Sequence, residues 1–208
     1  MTEKTKRILD NSTNIIDKKI ITIAVSAVSG GGKTCVTNEL LNLLKPSVPI
    51  FFDSYKGDLL GIDYCEWSEA GADANLWNLN PMIHDIICRI NENYKYILID
   101  YPFGRAHKGI SNLTDFAVFI DTPLDIAFAR RIERDYCHRD PSRKMISEPL
   151  EHLSEYITFY QRRHRNTYLK HIETVKPTCD MVVDGLDTPL NLAKTIIEKL
   201  SELLSAES

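Results

Sequence analysis

Three glycines in succession, followed by a lysine and a threonine, constrain this chain more than any other stretch. AVSGGGKT, residues 27 to 34, lies between the β-branched run Ile20 to Val25 and a segment from Lys33 to Lys45. That segment carries Val36, Leu40, Leu43 and Leu44 at helical spacing. Consecutive glycines pack nothing and lose the most chain entropy on folding, so the position must require bare backbone. A strand, a glycine turn and a helix N-terminus make an anion site, because unpaired N–H groups and the helix dipole point the same way. Gly32-Lys33-Thr34 closes the pattern G-x-x-x-x-G-K-[ST], with Ala27 where the first glycine would stand. Ala27 differs by one methyl group, which is tolerable where its φ is negative. In this pattern the backbone of Ser29, Gly30, Gly31, Gly32, Lys33, Thr34 and Cys35 cradles nucleotide phosphates. Lys33 then bridges the β- and γ-phosphates, and the Thr34 hydroxyl binds magnesium.

A chain of 208 residues suits one α/β domain with a lid or small insertion, residues 1–208 together. Its net charge of −4 argues against a general role on nucleic acid or a membrane surface. The longest apolar run, around Ile20 to Val28, is of strand length and far too short to span a bilayer. The opening MTEKTKRILDNSTN is polar and carries acids, unlike a secretory signal. Cys35, Cys65, Cys88, Cys137 and Cys179 are scattered and never form a C-x-x-C pair, the usage of a reducing compartment, so a cytoplasmic location is expected. The histidines, among them His84 and His152, show no metal-ligand spacing.

Strand patterns alternate with helical ones along the chain. Strands are predicted at Ile20–Val25, Val48–Phe52, Tyr96–Asp100, Ala117–Asp121 and Met181–Asp184. Helices are predicted over 33–45, 82–93, 123–136, about 147–174 and 189–204. Thr122-Pro123 reads as a helix start, Thr122 as cap and Pro123 in the first turn. The alternation predicts a three-layer α/β sandwich around a parallel five-stranded sheet, with ligands at the carboxyl ends of the strands. Residues 53–80 lack clear periodicity, and a loop of that length in a compact domain is usually functional.

Three acids stand where strands end. Asp100 closes YKYILID and is expected to hold magnesium beside the nucleotide. Asp53 closes VPIFFD, where a carboxylate is placed to take the proton of an attacking hydroxyl. Asp121 closes FAVFID but leads directly into the Thr122 start. Arginines concentrate between Arg130 and Arg165 in an otherwise acidic chain. Arg130, Arg131 and Arg134 share one predicted helix, and Arg139 and Arg143 follow in a polar stretch. Such guanidinium groups suit a phosphate clamp. Residues 64–81, YCEWSEAGADANLWNLNP, hold Tyr64, Trp67 and Trp77, either as pins for the loop or as the aromatic face of an acceptor pocket.

Taken together, these motifs resemble those of the uridine kinase and phosphoribulokinase family of P-loop small-molecule kinases. AVSGGGKT is similar to its phosphate loop, FFDSYKGD to its second-strand motif, DTPLDIAFARRIERD to its lid helix and VKPTCDMVVDG to its late lysine-proline turn and last strand. The resemblance implies an ATP- and magnesium-dependent kinase acting on a small-molecule hydroxyl, with uridine as one acceptor to test. It implies Asp53 as base, Lys33, Arg130 and Arg134 in catalysis, Arg131 on the nucleotide, and Thr34 and Asp100 on the metal. It further implies a lid over about 130–146. Asp53, Tyr55, Trp67, Trp77 and Arg105 are the residues expected on the acceptor side. The chain departs from the family in reading Tyr136-Cys137-His138-Arg139-Asp140-Pro141 where a glycine usually separates lid arginines, and Asp100-Tyr101-Pro102 where many members carry a glutamate. A nucleoside-monophosphate kinase and a non-catalytic ATP-binding module stay open as alternatives. No N-K-x-D element for guanine is present. The expected partners are a nucleotide and a small-molecule acceptor, with no nucleic acid or membrane and with self-association left open.

Overall fold

β-Branched and aliphatic runs at five places form strands that differ from the sequence expectation by about a residue at their ends. The computed structural model describes residues 20–55, 61–137 and 150–205. The strands are β1 (Ile21–Ser26), β2 (Ser47–Phe51), β3 (Tyr96–Asp100), β4 (Phe116–Asp121) and β5 (Met181–Asp184). They form one sheet in the order β2-β3-β1-β4-β5, every pairing parallel. Register aligns Val25 with Asp100 and with Val118, and Phe51 with Asp100. The carboxyl ends of the four strands β1 to β4 therefore open on one edge, where a doubly wound sheet binds its ligands.

Alternation along the strands divides the core. Ile23, Val25, Leu98, Val118 and Ile120 face helices α1 (Lys33–Leu43) and α8 (Pro189–Ser205), which supply Val36, Leu40, Ala193, Ile196 and Leu200. Ala24, Ile97, Ile99, Ala117 and Phe119 face the opposite layer, built from α2 (Tyr64–Glu69), α3 (Asn80–Ile90) and α4 (Lys108–Ser111). Both faces of the sheet are covered, which is why its strands read as continuous apolar runs. α5 (Leu124–Ile132) passes into a π-helical turn, Glu133–Cys137. α6 (Leu150–Phe159) and α7 (Arg165–Val175) are joined by another, Tyr160–His164. Among the described residues no helix is long and apolar enough to cross a membrane.

Two local expectations are corrected. Thr122 does not cap α5: Pro123 stands at the cap, and the Thr122 hydroxyl donates to the Gly31 carbonyl at 3.0 Å. The hydroxyl thereby ties the β4–α5 junction to the glycine loop. The stretch 53–80 is not structureless either. Asp63 caps α2 by accepting from the Cys65 and Glu66 N–H groups, and a 3₁₀ turn forms at Ala74–Leu76. Six residues are too few for periodicity to reveal α2. Residues 138–146 of the expected lid, with Arg139 and Arg143, and residues 56–60 lie outside the described residues.

Arg105 is removed from the acceptor side. Its side chain is only 2% exposed, and Nη2 meets the Asp180 carboxylate at 2.5 Å. Its remaining donors reach the carbonyls of Ser111, Thr114 and Asp115. These partners lead into β4 and β5, at the end of the sheet opposite the glycine loop. Arg105 is a fold-forming ion pair. Arg105→Leu should leave Asp180 buried and unpaired and cost about 3–5 kcal/mol of stability. Urea unfolding checks this, with a fall in midpoint at an unchanged slope as the expected outcome.

Candidate active site

The glycine loop is shaped by close approaches to α5 and to its own first residues. Gly30 adopts φ +82°, and a Cβ there would lie 2.1 Å from the Ala127 carbonyl oxygen in α5. A Cβ on Gly31 would meet the Ala27 Cβ at 2.7 Å, while the Gly31 N–H donates to the Val28 carbonyl at 2.9 Å. Ala27 itself is fully buried and, among the described residues, only Ala72 is a non-glycine with positive φ. Its methyl is thus accommodated, as the sequence pattern requires. Gly32 caps α1 without any side-chain hydrogen bond, leaving the first-turn N–H groups for a ligand.

Beside the loop, the Thr34 hydroxyl donates to Asp100 Oδ2 at 2.5 Å. Burial pushes the Asp100 carboxyl above its ordinary pKa; Lys33 and the Thr34 bond oppose this, and the neighbouring Asp53 charge adds to it. A hard cation would relieve that cost. One hydroxyl and one carboxylate suit a magnesium ion that takes its other ligands from phosphates and water.

The arginines gather on the same side. Arg130, Arg131, Arg134, Asp53 and Asp100 line one open cavity of about 940 Å³ with the loop from Ser29 to Cys35. Arg130 donates to the Gly185 carbonyl at 3.0 Å. Arg131 reaches Ser29 Oγ at 3.1 Å and the Tyr168 hydroxyl at 2.7 Å, and lies 5.1 Å over the Tyr156 ring. Arg134 pairs with Asp135 at 2.7 Å. Sequence reading missed Asp135, although its i,i+4 spacing from Arg131 was visible. Burial would raise the Asp135 carboxyl, but hydrogen bonding and charge from Arg134 and Arg131 outweigh it and hold the pKa below the usual range.

A second cavity, about 280 Å³, opens from the first and shares Ser29, Lys33, Asp53 and Arg131 with it. Its walls are largely aromatic. Trp77 stands in the wall, 5.2 Å from Phe103 and 5.6 Å from Phe52 between ring centres. Trp67 does not line it: the ring is buried behind Trp77, with Nε1 donating to the Asp73 carbonyl. Tyr55 turns away as well, its hydroxyl donating to Asp85 at 2.8 Å. In their place stand Tyr64, His164, Tyr168 and His171. The last three recur at i, i+4 and i+7, a helical face that sequence reading passed over in favour of the arginines around it. Asp121 takes no part, being paired with Lys176.

A family model described as "Phosphoribulokinase / Uridine kinase family" matches residues 90–189, the span that includes Asp100, the arginine helix and α7. The chain resembles this family. Among curated relatives, the uridine kinase of Borrelia duttonii is 27% identical over 185 residues, covering 77% of this chain and 84% of its own. The uridine kinase of Borrelia garinii subsp. bavariensis is 26% identical over 207 residues, covering 86% and 95%. Among solved structures, shikimate kinase from Bacteroides thetaiotaomicron aligns with a TM-score of 0.49 at 17% identity, over 88% of this chain and 98% of that one. The resemblance supports a nucleotide-binding phosphotransferase, and this kinase family implies ATP with a divalent metal.

His171 gives the site a pH signature. It is buried, and burial first, with the Lys33 charge adding, holds its pKa down to about 4 against an ordinary 6.5. The folded imidazole stays neutral where the unfolded one takes up a proton. The stability it preserves is complete above its unfolded pKa and is lost as pH falls from 6.5 towards about 4. Between pH 7.5 and 5 the wild type should lose about 2 kcal/mol more than His171→Phe in urea unfolding. An equal loss in both proteins would contradict this placement of the ring.

Proposed function

We propose that the chain is an ATP-dependent kinase that transfers the γ-phosphoryl group to a hydroxyl of a small molecule, with a nucleoside such as uridine as the first acceptor to test. One observation carries the reading: Lys33 and Asp53 line both cavities, so the phosphate site and the aromatic site meet at a charged donor and a carboxylate. The loop N–H groups bind the phosphates and Lys33 bridges the outer two. Arg130, Arg131 and Arg134 offset the negative charge that spreads over the transferring group. Asp53 orients the acceptor hydroxyl and takes its proton. Thr34 and Asp100 would hold magnesium, which neutralises phosphate charge when bound. The aromatic walls position a flat group by stacking and exclude water around it.

A nucleoside-monophosphate kinase would need free cations in the acceptor cavity. Among the described residues the only arginine there is Arg131, already engaged by Ser29 and Tyr168. A non-catalytic ATP sensor has no use for a carboxylate where the two cavities meet. Steady-state ADP release, measured with nucleosides, nucleoside monophosphates and aliphatic alcohols in parallel, tests the reading. Turnover is expected with a nucleoside or other ring-bearing alcohol. Turnover confined to monophosphates, or ATP binding without turnover on any acceptor, would contradict it.

A further inference from the structure

The aromatic cavity holds a polar atom that the reaction outlined above does not use. His171 is only 4% exposed, yet its Nε2 has no hydrogen-bond partner. The ring lies 5.7 Å from Phe103, and both residues line the cavity with Pro102. The Pro102 backbone acts on the other side of the ring. Proline has no N–H, so only its carbonyl oxygen can do so, and it favours the tautomer that carries the proton on Nδ1. In that tautomer Nε2 is a bare lone pair, an acceptor and not a donor. Burial and the Lys33 charge keep the ring neutral, so it cannot turn into a donor by taking up a proton near neutral pH. The indole Nε1 of Trp77, in the same wall, is also buried without a partner, and it can only donate.

Buried polar atoms left without partners cost free energy, and native proteins keep few of them. Two of opposite polarity in one aromatic-walled cavity, beside the phosphate site, await a ligand that supplies the complements. We propose that His171 is a specificity-determining residue of the acceptor cavity, whose Nε2 accepts a hydrogen bond from a ring N–H of a flat, uncharged ligand. The Trp77 N–H is placed to serve a carbonyl of the same ligand. This rests on the aromatic cavity being the acceptor site, as proposed above. It goes further in naming what the ligand must present: a donor to His171, so that a ring of similar shape but with that donor blocked is rejected. Rejection by an unpaired buried group is the strong form of selectivity, because the site cannot recover the bond from water.

Calorimetric titration with magnesium and a non-hydrolysable ATP analogue present tests this, using uridine against 3-methyluridine and inosine against 1-methylinosine. In each pair methylation removes the ring N–H and leaves the sugar hydroxyls untouched. The wild type should bind at least one parent about ten- to a hundredfold more tightly than its methylated partner. His171→Phe should lose most of that ratio, and His171→Gln, whose amide oxygen can accept, should keep part of it. Binding of the ATP analogue alone, unchanged across the variants, reports that they are folded. The ratio in the wild type needs no variant at all. Equal binding of parent and methylated rings, a ratio unaltered in folded His171→Phe, or binding of none of the four overturns the inference. The expected pattern without ADP release overturns the kinase reading alone. Turnover of an acceptor that lacks any ring N–H, at a rate independent of His171, overturns this inference and leaves that reading standing.

Discussion

Asp53→Asn is expected to lower kcat by about 10² to 10⁴, the usual cost of removing a positioned general base. Asp53 lies in the 3₁₀ turn Phe52–Ser54 that directly follows β2, so the sheet fixes where its carboxylate stands. Its charge is felt by both neighbours on the phosphate side, raising the Asp100 carboxyl and adding to the hold on the Arg134 proton. It also lines the aromatic cavity. A group in that position can touch an acceptor hydroxyl and face the γ-phosphate at once. Asparagine keeps the shape and loses only the ability to take a proton, so KM for ATP should change little. Single-turnover kinetics at saturating ATP separate the roles. A variant that keeps more than about a tenth of the wild-type rate is not missing its base. A variant that chiefly loses magnesium-dependent ATP binding identifies Asp53 as a metal-shell residue and passes the base role to Asp100 for testing.

Lys33→Ala is expected to cost about 10² to 10³ in kcat, as when other preorganised charge donors are removed. Lys33 opens α1 directly after Gly32 and lines both cavities. Its side chain is the one lysine that the glycine loop presents to the outer phosphates. The same residue lowers the pKa of buried His171, so its removal should let that ring protonate at a higher pH. Loss of rate with retained folding, followed by circular dichroism and kinetics on one preparation, is the predicted outcome. Near-wild-type turnover in a folded Lys33→Ala protein would remove the loop from the chemistry.

How far these residues could be read from sequence depends on how local their cause is. The glycine loop was legible because a strand, three glycines and a helix start are contiguous. So was Asp100, since the run Tyr96–Asp100 declares its own end at the ligand edge. Arg105 was misplaced because everything that holds it is distant: Asp180 is 75 residues away, and its carbonyl partners lie beyond the turn that follows. Trp67 and Trp77 carry the same composition signal, yet one is core and the other is wall. Only tertiary packing distinguishes them, since the two rings meet edge to face. The face of His164, Tyr168 and His171 had a visible period, but periodicity states which residues share a face, not what that face meets. Thr122 failed for a different reason. A cap and a long-range tie use the same hydroxyl, and the Gly31 carbonyl won it.

The identity of the product tests phosphoryl transfer to a small-molecule hydroxyl most directly. Phosphorus NMR of a reaction containing the protein, magnesium, ATP and the best nucleoside acceptor resolves the alternatives in one spectrum. A new phosphomonoester resonance, coupled to the protons of the carbon that bore the hydroxyl and growing in step with ADP, is the predicted result. Growth of inorganic phosphate alone, or of a diphosphate resonance from a monophosphate acceptor, would contradict it.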